Sequence, residues 1–161
     1  MRRKEKEIRD IDEINRILGS TQYVTLAMCR QNQPYLVTMS HGFDARKNCL
    51  YFHCASSGKK IDILKSNPQI WGQAFVDRGY ADGQCDHLFM SVHFQGQVTI
   101  IESIVEKTHA LEVMIRQLER NPDQVIARQL NDKAIKNVTI GRIDIHKIFG
   151  KKSEKVIIAT P

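Results

Sequence analysis

No apolar run in this 161-residue sequence approaches the roughly 20 residues that a membrane-spanning helix needs. The first residues, Met1-Arg2-Arg3-Lys4-Glu5-Lys6, have no apolar stretch behind them, so no secretory signal is read. A cytoplasmic protein with no membrane partner is expected. Cysteine is sparse: Cys29, Cys49, Cys54 and Cys85, with no Cys-x-x-Cys pair, which argues against a zinc ribbon. Three of the four fall in apolar strand-like runs, where a reduced cysteine behaves as a small buried hydrophobe. The GxxxxGK[ST] loop, the GxGxxG fingerprint, the GxSxG elbow and the HExxH helix are all missing. P-loop, Rossmann, α/β-hydrolase and zinc-protease readings therefore have no support.

What is present is a globular composition, 42% hydrophobic and 26% charged, long enough to bury a core. One domain over residues 1–161 is expected, its core about 20–150. The net charge of +6 admits an acidic partner. The excess sits mainly at the ends, in Arg2, Arg3 and Lys4 and in Lys147, Lys151, Lys152 and Lys155, as in solvated tails. No nucleic-acid-binding motif accompanies it, so no specific nucleic-acid partner is expected.

Hydrophobic periodicity divides the chain. Residues 10–18 read as an amphipathic helix that Asp10 can cap and Gly19 can end. Strands follow at Tyr23–Cys29, Tyr35–Phe43 and Cys49–Cys54, joined by polar turns, as in an antiparallel meander. In the second, Tyr35, Val37 and Met39 share one face and Leu36, Thr38 and Ser40 the other. A short helix at Lys60–Lys65 ends at Asn67-Pro68, and Ile70–Val76 is a fourth strand. The polar stretch Asp77–Asp86 reads as an exposed loop, and Leu88–Ile101 as a long strand bent or bulged at Gly96. Ser103 can cap a helix at Ile104–Leu118, a second helix covers Pro122–Leu130, and Val138–Ile145 makes the last strand before a tail at Lys151–Pro161. The class is mainly β with peripheral helices, about six strands that tend to close into a barrel.

Few residues carry chemistry. Ser56-Ser57-Gly58-Lys59-Lys60 follows a strand and opens a helix, so it is either a phosphate cradle or an ordinary Ser-capped helix start. His53 and Cys54 are adjacent in a strand and face opposite ways. Cys85, His87 and His93 make only a weak metal set, and no metal is expected. His41, beside Gly42 near a strand end, can reach a pocket or serve the structure.

Taken in order, Tyr23–Met28, Pro34–Phe43, Leu50–Lys60, Leu64–Pro68, Ser91–Gly96 and the ending Ile143–Lys151 resemble the FMN-binding split barrels of the pyridoxamine 5'-phosphate oxidase type, near the nitroimidazole-reductase branch. The resemblance implies a six-stranded antiparallel split β-barrel that dimerises with FMN at the interface. It implies phosphate binding by Lys59 and Lys60, where the family commonly has Arg-Lys. It implies cofactor contacts from Tyr23, Val24, Thr25 and Leu26, from Thr38 and Ser40, and from His53, Cys54 and Ser57. Tyr23 and Met28 stand where the oxidase branch has basic residues, so part of that phosphate site is missing. NADH or NADPH would reduce the flavin, a small acceptor such as a nitro compound would reoxidise it, and His41 or His53 would donate a proton. The other readings are a non-catalytic flavin binder and a haem-binding split barrel using His41, His87, His93 or Cys85.

Overall fold

The computed structural model describes residues 3–153. A 3-10 turn at Lys4–Lys6 leads into β1 (Glu7–Ile8) and α1 (Ile11–Ser20). Then come β2 (Tyr23–Arg30), β3 (Gln33–Ser40), β4 (Gly42–Asp44), β5 (Cys49–Cys54), α2 (Lys59–Ser66), β6 (Gln69–Ala81) and β7 (Asp86–Ile101). The chain finishes with α3 (Ile104–Leu118), α4 (Pro122–Gln129), α5 (Asp132–Asn137) and β8 (Thr139–Lys152). All pairings are antiparallel in one eight-stranded sheet of order β3-β2-β6-β7-β8-β5-β4, with β1 added to β8.

β3 and β4 are the two ends of that order, and only His41 separates them in sequence. The expected single strand Tyr35–Phe43 is thus two strands. The chain leaves its β2 partner at Ser40 and joins β5 at Gly42. Gly42 permits the crossing, because a Cβ there would lie 2.7 Å from the α3 backbone at Met114. β3 and β5 are not hydrogen-bonded to each other, which leaves a seam along the barrel. α2 packs beside it: Lys60 touches Met39 of β3 and the ring of Phe52 of β5.

The barrel interior holds the inward residues of every long strand, including Val24, Leu26, Leu50, Phe52, Ile70, Val92, Phe94 and Ile143, closed by Ile14, Ile17 and Leu18 of α1. A second core lies outside β5 and β8, where α3 brings Ala110 and Met114 onto Cys49, Tyr51, Ile101 and Ile140. β5 is therefore covered on both faces, which accounts for its unbroken apolar run Cys49–Phe52. The caps from Asp10 on α1 and Ser103 on α3 form as expected, to the amides of Asp12 and Glu106.

The strand count rises from six to eight. The stretch expected as a loop at Asp77–Asp86 is mostly hairpin, with β6 running to Ala81, β7 starting at Asp86 and a register slip between Asp77 and Tyr80. Both faces of this hairpin meet solvent, so no alternation marks it. β8 runs on to Lys152 because Lys147–Lys152 pairs with Met90–Gln95. The slip falls beside Gly96, as expected, with His146 the extra residue on β8. Of the expected tail, Lys151 and Lys152 are strand, and residues 154–161 lie outside the described residues. α5 was not expected; its six residues bury only Ile135.

Candidate functional site

The site is built on α2 and on the outer face of the sheet. α2 starts at Gly58, whose φ of +120° is a conformation that residues with a Cβ rarely adopt. No side chain caps this helix, so its first N–H groups face outward, and the Ser-capped reading of the segment is not what forms. Ser57 lies exposed just before it. Lys59 Nζ stands 4.8 Å above the ring of Tyr35, and Lys60 Nζ lies 3.1 Å from Met39 Sδ. Among the described residues, neither lysine has a carboxylate partner, whereas Lys6 and Lys152 pair with Asp86 and Glu13. Two cations beside uncapped helical amides attract an anion.

The outer face carries two adjacent cross-strand rows. One reads Thr38–Thr25–Gln73–His93–Phe149 across β3, β2, β6, β7 and β8. The next reads Leu36–Ala27–Trp71–Gln95–Lys147. Neither contains a carboxylate. Thr25 and Thr38 share a hydrogen bond of 2.9 Å. His93 stacks on Phe149 with centroids 5.4 Å apart, and Phe149 meets Trp71 edge-on at 6.0 Å. Burial, with Lys151 nearby, holds the His93 imidazole below its ordinary pKa. Tyr23, Leu36, Trp71 and Phe75 are 58%, 65%, 46% and 49% exposed, an apolar content unusual for an unpartnered face.

The structure therefore brings together Tyr23, Thr25, Thr38 and Ser40, since Tyr23 pairs with Ser40 as Thr25 does with Thr38. Lys59 and Lys60 lie at the seam against Tyr35, Met39 and Phe52, on the face of β3 opposite to Thr38 and Ser40. Cys54 is half-buried and near enough for the Lys60 charge to act on it, although burial still raises its thiol pKa. Val24 and Leu26 do not join the face: strand alternation turns both side chains into the barrel, where they are 1% and 0% exposed. Met28, at the far end of the same strand, is likewise buried. His53 is exposed on the face of β5 shared by Cys49 and Tyr51, opposite to Cys54.

His41 is fully buried. Its Nε2 donates to the Leu18 carbonyl at 3.1 Å, and Gln117 packs alongside. Burial lowers its pKa despite the Leu18 and Gln22 carbonyls, so it is a neutral group tying β3–β4 to α1. Nothing in its local sequence separates it from a pocket histidine; Gln117, 76 residues away, decides its setting. His87 is taken by Asp77 at 2.9 Å, and Cys85 sits exposed in the hairpin turn at a φ of 48°. Cys29, expected to be buried, is exposed near the end of β2. Sequence reading missed the Trp71–Phe149–His93 cluster, whose members meet only through pairing of β6, β7 and β8; the one available signal was an aromatic residue or histidine at alternate positions in each strand.

The sequence profile of the pyridoxamine 5'-phosphate oxidase family matches residues 10–152. No curated protein matches the sequence. Among solved structures, a candidate 5-nitroimidazole antibiotic resistance protein from Bacteroides thetaiotaomicron superposes with a TM-score of 0.77 at 24% identity, over 90% of this chain and 85% of that one. The flavocytochrome Anf3 from Azotobacter vinelandii gives 0.76 at 17% identity, over 91% and 69%. A FAD- and haem-binding protein from Mycobacterium smegmatis gives 0.76 at 13%, over 92% and 74%. At these identities the likeness is one of fold.

Proposed function

Because the chain belongs to the pyridoxamine 5'-phosphate oxidase family, we propose that it is an FMN-binding oxidoreductase working as a homodimer. The observation that carries this reading is the pair Lys59 and Lys60, without carboxylate partners among the described residues, at the uncapped start of α2. A terminal phosphate there would receive two charged donors and the free helical amides. The flavin ring would lie on the face of Tyr23, Thr25, Thr38 and Ser40, whose lack of carboxylates suits an electron-rich reduced ring. When bound, FMN supplies the two-electron chemistry between NADH or NADPH and a small acceptor such as a nitro compound. This chain's residues bind, orient and shield it. The Bacteroides neighbour supports the choice of acceptor, and the flavin-binding neighbours support the cofactor class. A second copy placed on the outer face would cover Tyr23, Leu36, Trp71 and Phe75 and exclude water from the ring.

The test is the visible spectrum of the purified protein, identification of any released chromophore, and titration with FMN and riboflavin. A yellow dimer releasing about one FMN per subunit and preferring FMN to riboflavin by at least tenfold supports the reading. A colourless protein that takes up neither flavin sinks it. Turnover with NADH or NADPH and a panel of nitro compounds and quinones then separates an enzyme from a flavin carrier.

A further inference from the structure

The distal half of the β6–β7 hairpin has no strand beside it. β2 pairs with β6 only from Trp71 to Gln73, and β8 follows β7 only as far as Met90, with Ser153 bonded to Phe89 just beyond. From Asp77 to Ala81 and from Asp86 to Leu88 the two strands pair only with each other among the described residues. A lone two-stranded ribbon is marginal in water, and its open edges invite a partner. On the side that continues the outer face this arm is aromatic. Phe89 stacks on Phe75 with centroids 5.9 Å apart, and Tyr80, paired with His87, meets that ring edge-on at 6.1 Å. Tyr80 is 59% exposed. The arm is also acidic: Asp77, Asp82 and Asp86 stand against Arg78 alone. His87 holds Asp77 at 2.9 Å and Lys6 lies 3.7 Å from Asp86, while Asp82, at the turn, meets only the Gly83 amide.

The opposite end of the outer face is its complement. A cavity of about 490 Å³ opens there beside Trp71, lined by Gln95 and Lys147 among others and by no carboxylate. A two-fold axis lying between two such faces either sets arm on arm or sets each arm on the far end of the other face. The first arrangement brings carboxylates against carboxylates. The second brings an acidic arm against a lysine and an exposed phenol against a cavity. We propose that the β6–β7 hairpin is an exchanged arm, lying across the outer face of a second copy with Tyr80 seated in the cavity beside the partner's Trp71 and Asp82 close to the partner's Lys147. The contact rests on the dimer of the flavin reading and adds the element by which the copies grip each other. A phenol has an apolar ring for an indole wall and a hydroxyl for the amide of the partner's Gln95. An aromatic anchor in a pocket carries much of an interface's energy, and the opposite charges at its rim fix the orientation.

Trp71 is the sole tryptophan, so the protein's indole emission reports on the cavity. Sedimentation equilibrium and this emission are followed as the full chain is diluted, with and without FMN. The expected result is a dimer with blue-shifted emission that moves to the red on dissociation. Tyr80→Ala should raise the dimer dissociation constant at least tenfold and lose the blue shift. Asp82→Lys and Lys147→Glu should each weaken the dimer several-fold, and the two together should recover most of that loss. Hydrogen exchange at the arm's amides should be slow in the dimer and fast in the monomer. A dimer as strong in Tyr80→Ala as in the parent overturns the proposal, and so does a charge swap that recovers nothing. Arm amides equally slow in the monomer would mean that the chain covers its own arm, which also overturns it. A chain that stays monomeric at every concentration removes the arm contact together with the second copy. A dimer indifferent to Tyr80 that takes up FMN removes the arm and leaves the flavoprotein reading intact; a Tyr80-dependent dimer that takes up no flavin keeps the arm and removes that reading.

Discussion

The two flanks of the barrel treat polar groups in opposite ways. On the α3 flank most polar side chains are answered, the buried Nδ1 of His41 being an exception. Gln117 accepts from the Phe43 amide at 2.8 Å and donates to the Leu18 and Thr21 carbonyls. His109 reaches the buried carboxylate of Asp44 at 2.7 Å, and Arg142 bridges Glu106 and Asp144. On the α2 flank, Lys59 and Lys60 lack counter-ions, the helix start lacks a cap, and four large apolar side chains of the sheet face are exposed. A protein satisfies its own groups where they only hold the fold together. Groups left unanswered cost stability unless something outside the chain answers them. The contrast predicts that substitutions on one flank will show in ligand binding and on the other in unfolding.

The largest expected effect is on the α2 flank. In a Lys59→Ala/Lys60→Ala protein, two charge-assisted contacts to the phosphate are lost, each worth about 1.5–3 kcal/mol. FMN affinity should fall by about 100-fold or more while riboflavin affinity stays nearly unchanged. Thermal stability without flavin should hold or rise, since no ion pair is removed. Equal loss of FMN and riboflavin in calorimetric titrations would place the phosphate elsewhere.

The α3 flank should give the mirror image. Gln117→Leu keeps the bulk and strands the Phe43 amide with two carbonyls, at a cost of about 1–3 kcal/mol for each group left dry. A net loss of about 3 kcal/mol should lower Tm by about 6–12 °C. FMN affinity should stay within about twofold of the parent. A variant that unfolds normally but loses FMN would erase the contrast between the flanks.

The parts legible in the sequence were those with local signals. The caps from Asp10 and Ser103, the alternation in β3, and the bulge beside Gly96 each depend on a few neighbouring residues. The resemblance in order and spacing added the barrel and the lysine pair. The break at His41 was not legible, because it arises where α3, more than 60 residues later, presses its backbone against Gly42. The hairpin of β6 and β7 was missed because solvent on both faces removes the period-2 pattern. Val24 and Leu26 were expected at the cofactor through their position in a motif, whereas strand alternation turns both into the core. Of these cases, the break at His41 was decided by a contact of high sequence separation, the other two by local exposure and alternation.

The smallest expected effect concerns His41, the residue on which the two flanks make rival claims. As a proton donor to a bound flavin it would belong to the α2 side; its burial and its bond to the Leu18 carbonyl put it with the α3 side. Burial holds its folded-state pKa below the ordinary 6.5. The sign follows: above 6.5 both folded and unfolded chains carry the neutral ring, and His41 adds no pH dependence. As pH falls through 6.5, the unfolded chain takes up a proton that the folded chain refuses, so stability declines, by at most about 1.4 kcal/mol per pH unit. His41→Gln keeps a donor for Leu18 and removes the titration. His93, shifted the same way, stays in both proteins and cancels in the difference. Denaturant unfolding of parent and variant at a series of pH values should show the parent's advantage shrinking on acidification below about pH 6.5. An advantage independent of pH would mean that His41 does not resist protonation. A kcat profile that loses its alkaline limb in the variant, with unfolding unchanged, would return His41 to the flavin.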